Sequence, residues 1–183
     1  GYTLQSANAI AIGENAGFTN QSGNGVAIGT NSGQIQQTSQ SIAIGFQAGQ
    51  YTQGRDGVIG FLNNAIAIGS NAGQTLQGSN GIAIGTRAGA FQQIYDSVAI
   101  GRSAGESSQS DSAVAIGIYA GQGSQNSGAV AIGNSAGRNT QGFGAVSIGN
   151  TAGNNVQGNY AVAIGSSSGA FSQGIQSVAI GIN

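Results

Sequence analysis

The chain repeats a short phrase, Ala-Ile-Ala-Ile-Gly or a near copy of it, every sixteen residues. One interval between the glycines that end the phrases, from Gly45 to Gly69, is twenty-four residues long instead. A fixed period of this length is typical of one structural unit copied along a chain, so equivalent residues should lie in rows. We therefore predict a repeat architecture and do not expect a single catalytic pocket. The marking glycines are Gly13, Gly29, Gly45, Gly69, Gly85, Gly101, Gly117, Gly133, Gly149, Gly165 and Gly181.

Each phrase alternates large aliphatic and small side chains. This period of two, with β-branched residues at the large positions, predicts a β-strand whose large side chains share one side. We expect the large rows to form the dry interior and the small row to point outward. The large rows are Ile10, Val26, Ile42, Ile66, Ile82, Val98, Val114, Val130, Val146, Val162 and Val178, and Ile12, Ile28, Ile44, Ile68, Ile84, Ile100, Ile116, Ile132, Ile148, Ile164 and Ile180.

Every unit continues with a second glycine and then a glutamine. Two glycines four residues apart fit a tight corner that needs positive φ or a close backbone approach. The glutamine follows after three variable residues, and we predict that it lies on a second, shorter strand. Stacked glutamines can form a structural ladder in which each amide donates a hydrogen bond to the next. The predicted ladder contains Gln5, Gln21, Gln37, Gln53, Gln77, Gln93, Gln109, Gln125, Gln141, Gln157 and Gln173.

These features predict an all-β fold. Glycine makes up 35 of the 183 residues, and each glycine costs a helix interior about 1 kcal/mol relative to alanine. Sixteen residues instead fit one coil of a parallel β-solenoid, a β-roll of strand, corner, strand and corner. About eleven coils stacked at roughly 4.8 Å would form a rod roughly 50 Å long. A low-complexity linker is the alternative, but it would not need such strict placement of aliphatic residues.

We interpret residues 1–183 as a single solenoid domain with an irregular half-coil insertion near residues 54–64. The insertion accounts for the one long interval between marking glycines. It is either neutral drift at a tolerant corner, or a kink or local binding knob. The local contact candidates that it carries are Arg55, Asp56, Phe61 and Leu62.

The composition argues against catalysis and against several kinds of partner. The pattern G-x-S-x-G occurs around Ser103, Ser135 and Ser167, but the chain has no histidine to complete a Ser-His-acid triad. We expect no catalytic residue, no cofactor and no metal site. Four Lys+Arg residues against five Asp+Glu make nucleic-acid binding improbable. No apolar run approaches the ~18 residues of a membrane helix, so this segment should not insert into a membrane.

An outward row of small residues would leave a smooth apolar stripe along the whole rod. Such a stripe should not stay in water, and small side chains allow another backbone to approach closely. We therefore predict lateral association, with three rods around one axis as a natural closed arrangement. The lateral-interface candidates are Ala11, Ala27, Ala43, Ala67, Ala83, Ala99, Ala115, Ala131, Ser147, Ala163 and Ala179.

The repeated phrases also resemble a known family. Ser-Val-Ala-Ile-Gly at residues 97–101 and Ala-Val-Ala-Ile-Gly at residues 161–165 are similar to the head repeats of trimeric autotransporter adhesins. The resemblance implies a left-handed parallel β-roll that forms a homotrimer, with the Val-Ala-Ile-Gly strand on the inner face. The sixteen-residue period is longer than that of the family. Similar A-I-G-x-x-A-G repeats occur in fibre proteins of phages and large viruses.

Our first functional hypothesis is a structural and adhesive fibre segment, extracellular on a cell or virion surface. Its expected partners are other copies of itself and a host-surface or matrix receptor. Neither end of the chain shows a solenoid cap, which favours end-to-end assembly into filaments or a longer chain. An ice-binding solenoid and a virion or phage tail-fibre shaft are the alternatives.

Overall fold

The protein is a parallel β-solenoid in which two sheets run along a stack of sixteen-residue coils. The structure, a computed structural model, describes residues 4–54 and 64–183. Every regular secondary-structure element within these ranges is a β-strand, so the predicted all-β solenoid is confirmed. None of the described residues belongs to a helix long and apolar enough to cross a lipid bilayer.

The first sheet contains the repeated aliphatic phrase and has eleven strands in the described part of the chain. All are parallel, and each residue pairs with its equivalent in the next coil, as in Val98 with Val114 and Ile100 with Ile116. The strands are β1 (Ile10–Ile12), β2 (Val26–Ile28), β4 (Ile42–Ile44), β6 (Ile66–Ile68), β8 (Ile82–Ile84), β10 (Val98–Ile100), β12 (Val114–Ile116), β14 (Val130–Ile132), β16 (Val146–Ile148), β18 (Val162–Ile164) and β19 (Val178–Ile180).

The second sheet contains the glutamine row and has eight described strands, also parallel and in register. Isolated bridges extend the same pairing from Thr19 to Ile35 and from Gln157 to Gln173. The strands are β3 (Ile35–Gln37), β5 (Tyr51–Gln53), β7 (Thr75–Gln77), β9 (Phe91–Gln93), β11 (Ser108–Gln109), β13 (Ser124–Gln125), β15 (Thr140–Gln141) and β17 (Val156–Gln157).

The register continues across the long glycine interval. Ile42 pairs with Ile66 in the first sheet, and Gln53 pairs with Gln77 in the second. The extra residues therefore fall between Gln53 and Ala65 and leave the pairing of both sheets intact. Residues 55–63 lie outside the described ranges, and with them lie all four local contact candidates, Arg55, Asp56, Phe61 and Leu62.

The prediction of which side chains point inward was wrong. The small row is the interior row, and the Val and Ile side chains point outward. In the two terminal coils Ala11 and Ala179 are half-buried. The other lateral-interface candidates are fully buried and cannot meet another chain: Ala27, Ala43, Ala67, Ala83, Ala99, Ala115, Ala131, Ser147 and Ala163.

The reversed orientation follows from what else occupies the interior. Gln141 is fully buried, and it crosses from the second sheet to the first, where its Nε2 donates to the carbonyl oxygen of Val130 at 2.7 Å. A side chain of this length fills the narrow space between the sheets. Only methyl-sized neighbours such as Ala131 and Ala136 fit beside it, because protein interiors are close-packed.

Both glycines of each unit are required by backbone geometry. Gly133 has φ +128°, and a Cβ built on it would lie 2.5 Å from the carbonyl oxygen of Gly149 in the next coil. Gly137 has φ +51°, and its Cβ would lie 2.8 Å from Oε1 of Gln141. The first glycine therefore lets neighbouring coils stack, and the second leaves room for the buried glutamine.

The second sheet changes its backbone form partway along the rod. In the N-terminal coils the residue before the glutamine has left-handed φ, as in Gln36 at 57° and Leu76 at 55°. The equivalent residues Ser108, Ser124 and Val156 are outside that region, and their strands shorten to two residues. In the coil after β17 the equivalent residue, Ser172, has positive φ again, at 32°. The residue one position earlier is Ile, Tyr, Thr or Phe in β3 to β9, and Ser, Gly or Asn in the four later coils. Residues that favour β-strands are thus replaced by residues that favour bends in the coils where the backbone conformation of the second sheet changes.

Candidate functional site

The outward side chains of the first sheet form two parallel aliphatic rows, which we call the aliphatic face. Its members are the two large rows predicted for the interior, from Ile10 and Ile12 at one end to Val178 and Ile180 at the other. Along the first row, each side chain from Val26 to Val162 is half-buried. Along the second row, each side chain from Ile68 to Ile164 remains 36 or 37 % exposed.

The aliphatic face is uniform and carries no charge. Each of its strands reads Val or Ile, then Ala or Ser, then Ile. A glycine follows each strand, so no side chain at that position shields the outer Ile. A monomer in water rarely exposes a continuous apolar patch larger than a few hundred Å², and larger patches mark interaction surfaces. A face that spans eleven strands is therefore a candidate interaction surface.

The aliphatic face can interact with another molecule only by burying its apolar surface. Its side chains cannot donate or accept a proton or hold a metal ion. Fully burying an Ile side chain contributes about 1.5–3 kcal/mol, so covering the exposed third contributes on the order of 0.5–1 kcal/mol per outer Ile. Repeated over the length of the rod, this contribution is large enough to drive association with a well-fitting surface.

The glutamine row lies in the interior and binds both sheets and successive coils. Nε2 of Gln93 donates to the carbonyl oxygen of Ile82 at 2.9 Å, to that of Ser97 at 3.2 Å and to Oε1 of Gln109 at 3.3 Å. The buried members are Gln21, Gln37, Gln53, Gln77, Gln93, Gln109, Gln125, Gln141, Gln157 and Gln173. These residues stabilise the fold and are not open to a ligand.

The prediction that Gln5 joins this ladder was wrong. Gln5 is exposed, and its Nε2 donates to the carbonyl oxygen of Ala9 at 3.1 Å. Oε1 of Gln21, the next member, is buried without a hydrogen-bond partner among the described residues. The periodicity placed Gln5 in the correct column, but burial between two sheets starts only one coil later.

The ladder also changes where the small row contains a serine. Ser147 replaces the alanine of the other coils, and its Oγ donates to Oε1 of Gln157 at 2.8 Å. Gln157 still donates to Oε1 of Gln173 at 3.1 Å. A hydroxyl is therefore accepted at this interior position because it finds a partner in the glutamine row.

The three serines of the G-x-S-x-G patterns lie at one corner of the coil. All have left-handed φ between 55° and 58°. Oγ of Ser135 donates to Oδ1 of Asn134 at 3.0 Å, and the hydroxyls of Ser167 and Thr151 lie 2.9 Å apart. Ser103 and Ser135 are buried. The motif thus reflects two glycine columns of the repeat with a polar corner residue between them.

A second feature, which the sequence analysis missed, is a cluster of charged residues at this same corner. Glu106 is buried, and it forms a salt bridge with Arg87 from the preceding coil. Its Oε2 also accepts a hydrogen bond from Nε2 of Gln122 at 2.9 Å. Oε1 of Gln122 in turn accepts one from Nε of Arg138 at 2.9 Å.

An aromatic ring completes this corner cluster. The guanidinium carbon of Arg102 lies 4.9 Å from the ring centroid of Tyr119, and that of Arg138 lies 5.0 Å from it. The three residues come from three successive coils. Aligning the sequence in its sixteen-residue register places them within a few positions of one another, and this signal could have revealed the cluster.

Searches against protein-family models, curated proteins and solved structures each found no match to this chain.

Proposed function

We propose that the protein is a non-enzymatic structural segment of an extracellular fibre, and that it associates laterally through the aliphatic face. The observation that carries this proposal is the partial exposure of the two aliphatic rows along the first sheet. It replaces the predicted interface of small residues, since that row is buried. The repeat architecture and the uncharged outer strands are also suited to a fibre.

The partner that best fits this face is another copy of the same chain. Its side chains repeat at the spacing of the strands, roughly 4.8 Å. A surface with the same period and the same alternation of ridge and groove is needed to pack against it over its length, and the aliphatic face itself has both. A cyclic arrangement of parallel copies satisfies every protomer equally, and three copies close around one axis.

The decisive experiment compares two exposed isoleucines of equal accessibility. Ile116 on the first sheet and Ile35 on the second are each 36 % exposed. We expect the unmodified protein to sediment as a homo-oligomer, preferably a trimer, at micromolar concentration. Ile116→Asp should weaken association at least a hundredfold, because a carboxylate would be buried in every copy of the interface. Ile35→Asp should leave the oligomer unchanged.

Two results would contradict the proposal. One is a protein that remains monomeric in sedimentation equilibrium at the highest concentration reached. The other is an equal loss of association in the two variants, which would place the contact elsewhere. Circular dichroism of both variants checks that the solenoid remains folded, so that a loss of association is not a loss of structure.

The alternatives predict different behaviour from the same sample. An ice-binding solenoid would act as a monomer and show thermal hysteresis, which we do not expect from a face already covered by other copies. A virion or phage tail-fibre shaft would share the lateral oligomer and differ in where it is displayed. Adhesion to a host-surface or matrix receptor is part of the proposal and requires a surface outside the aliphatic face.

A further inference from the structure

We propose that Arg102 and Arg138 form a binding site for the sulfate or carboxylate groups of an acidic polysaccharide. The site lies at the corner after the first-sheet strand, outside the aliphatic face. It is therefore independent of the lateral association proposed above and can be present in a monomer or an oligomer.

The first support is the local balance of charge. Arg87 is neutralised by Glu106, with which it forms a salt bridge. Among the described residues, no carboxylate forms a salt bridge with Arg102 or Arg138, and both arginines are exposed. The chain as a whole has a formal charge of −1. Two positive charges without an acidic partner are thus concentrated at one place on a nearly uncharged rod.

The second support is the way in which the two guanidinium groups are held. Each lies over the ring of Tyr119, at 4.9 Å and 5.0 Å from its centroid. A guanidinium that stacks on an aromatic ring keeps the N–H groups of its edge free, and these match the two oxygens of a carboxylate or sulfate. Toward the described residues, Arg138 donates a hydrogen bond only from its Nε, to Oε1 of Gln122, so its terminal nitrogens remain available.

The third support is the direction in which the two charges are arranged. Arg102 and Arg138 belong to coils that are two steps apart, so their backbones are separated by roughly 10 Å along the rod. This separation suits a polymer with successive acidic groups better than a single small anion. Exposed amide side chains continue the corner towards the C-terminus, where Nδ2 of Asn139 donates to Oδ1 of Asn155 at 3.0 Å. Sugar hydroxyls could bind there.

A polysaccharide fits this site better than a nucleic acid. Nucleic-acid binding depends on neutralising several phosphates and on free aromatic faces for stacking with bases. Here only two unpaired arginines are present in the described corner, and they lie over the ring of Tyr119. The ring therefore orients the arginines and is not a platform for bases.

The test measures binding of the purified chain to dextran sulfate, polygalacturonate and neutral dextran by isothermal titration calorimetry at low salt. We expect binding to one or both acidic polymers and none to neutral dextran. The two acidic polymers distinguish sulfate from carboxylate as the recognised group. Arg138→Gln should weaken binding roughly tenfold or more, because it removes a charge-assisted hydrogen-bonding group. Arg55→Gln removes the same charge elsewhere in the chain and should change binding less than twofold.

A second pair of variants separates orientation from charge. Tyr119→Ala leaves every charge in place but removes the ring that holds the guanidinium groups, and it should weaken binding severalfold. Tyr119→Phe keeps the ring and should bind as the unmodified protein does. Sedimentation and circular dichroism should be unchanged in the Arg138 and Tyr119 variants, since both residues lie outside the interior and the aliphatic face.

Three outcomes would overturn this assignment. The first is the absence of binding to both acidic polymers at low salt. The second is an equal loss in Arg138→Gln and Arg55→Gln, which would indicate attraction by overall charge only. The third is tighter binding of single-stranded DNA than of either polysaccharide, which would assign the corner to nucleic acid instead.

Discussion

The two sheets of the solenoid are subject to different constraints on their outer sides. Both contribute small or amide side chains to the same interior, and these rows are nearly constant along the chain. The outward residues of the second sheet vary freely, from Ile35 and Tyr51 to Ser108 and Ser124. Those of the first sheet are always Val or Ile, although they are partly exposed. Packing inside the coil cannot explain this difference, because outward side chains do not contribute to it.

The comparison supports the proposal that another copy of the chain packs on the first sheet. The second sheet can even change its backbone form between β9 and β11 while the first sheet keeps its register throughout. A surface in contact with solvent alone would tolerate such variation in sequence and backbone form. The aliphatic face does not vary, and this uniformity is the reason for placing the lateral contact there.

The largest effect should come from enlarging an inward residue of the first sheet. Ala115 is fully buried, and a Cβ built on Gly121 would lie only 3.3 Å from its methyl group. We expect Ala115→Leu to lower the free energy of unfolding by about 3 kcal/mol, because the added atoms have no space. Guanidinium denaturation followed by circular dichroism measures this change.

The matched control for Ala115→Leu lies on the second sheet of the same coil. Ser124 is exposed and points outward, so Ser124→Leu should change the free energy of unfolding by less than about 0.5 kcal/mol. Equal destabilisation by the two variants would show that the inner and outer positions are assigned incorrectly.

A smaller effect should follow from removing one member of the glutamine row. Nε2 of Gln77 donates to the carbonyl oxygens of Ile66 and Gly81 at 2.7 and 3.0 Å and to Oε1 of Gln93 at 3.2 Å. Gln77→Ala leaves these buried acceptors without that donor, and we expect a loss of about 2 kcal/mol in unfolding free energy.

Gln74 provides the comparison for Gln77, because it belongs to the same coil and is only half-buried. Its Nε2 donates to Oε1 of Gln47 at 3.3 Å and to Oε1 of Gln50 at 3.2 Å, and both hydrogen bonds are partly buried. Gln74→Ala should cost less than about 1 kcal/mol in the same denaturation experiment. If both variants lost the same stability, the ladder would contribute no more than hydrogen bonds that are only partly buried.

The smallest effect concerns the two backbone forms of the second sheet. Leu76 and Val156 occupy equivalent positions with similar exposure, 49 % and 46 %, but only Leu76 has left-handed φ, at 55°. Asparagine tolerates that conformation better than leucine, whereas it is disfavoured in an extended strand. Leu76→Asn should therefore raise the unfolding free energy by about 0.5 kcal/mol, and Val156→Asn should lower it by about as much.

Thermal melts of the two variants give the sign of each change directly. The comparison depends on opposite signs, so a decrease of similar size in both variants would argue that β7 and β17 share one backbone form. The first sheet offers no equivalent pair, since no residue of its described strands has left-handed φ.

Much of this fold could be predicted from particular residues. The glycine spacing predicted the stacking of sixteen-residue coils, and the interval from Gly45 to Gly69 predicted an insertion that both sheets bypass. The glutamine column predicted an amide ladder, and its members from Gln21 onward are buried and hydrogen-bonded. These features depend only on what repeats, because parallel in-register stacking brings equivalent residues of successive coils together.

The candidate site was not predicted correctly, and the alternation in the phrase shows why. Val98, Ala99 and Ile100 define two sides of a strand but do not indicate which side is enclosed. The size of Gln93 and Gln109, which reach across from the opposite sheet, favours small residues on the facing strand. Hydrophobicity instead predicted that the Val and Ile rows form the interior, because these residues are among those most often buried in proteins.

The sequence by itself determined the period, the positions of the strands, their parallel register and the rows in which side chains lie. The tertiary structure alone decided which rows are enclosed, since this depends on the distance between two sheets and on the volume that the glutamines occupy there. It also decided that Arg102, Tyr119 and Arg138 meet, because side chains from different columns come together only when the corner has its actual curvature. Repetition fixes neighbours along the stack, whereas packing across the coil fixes inside and outside.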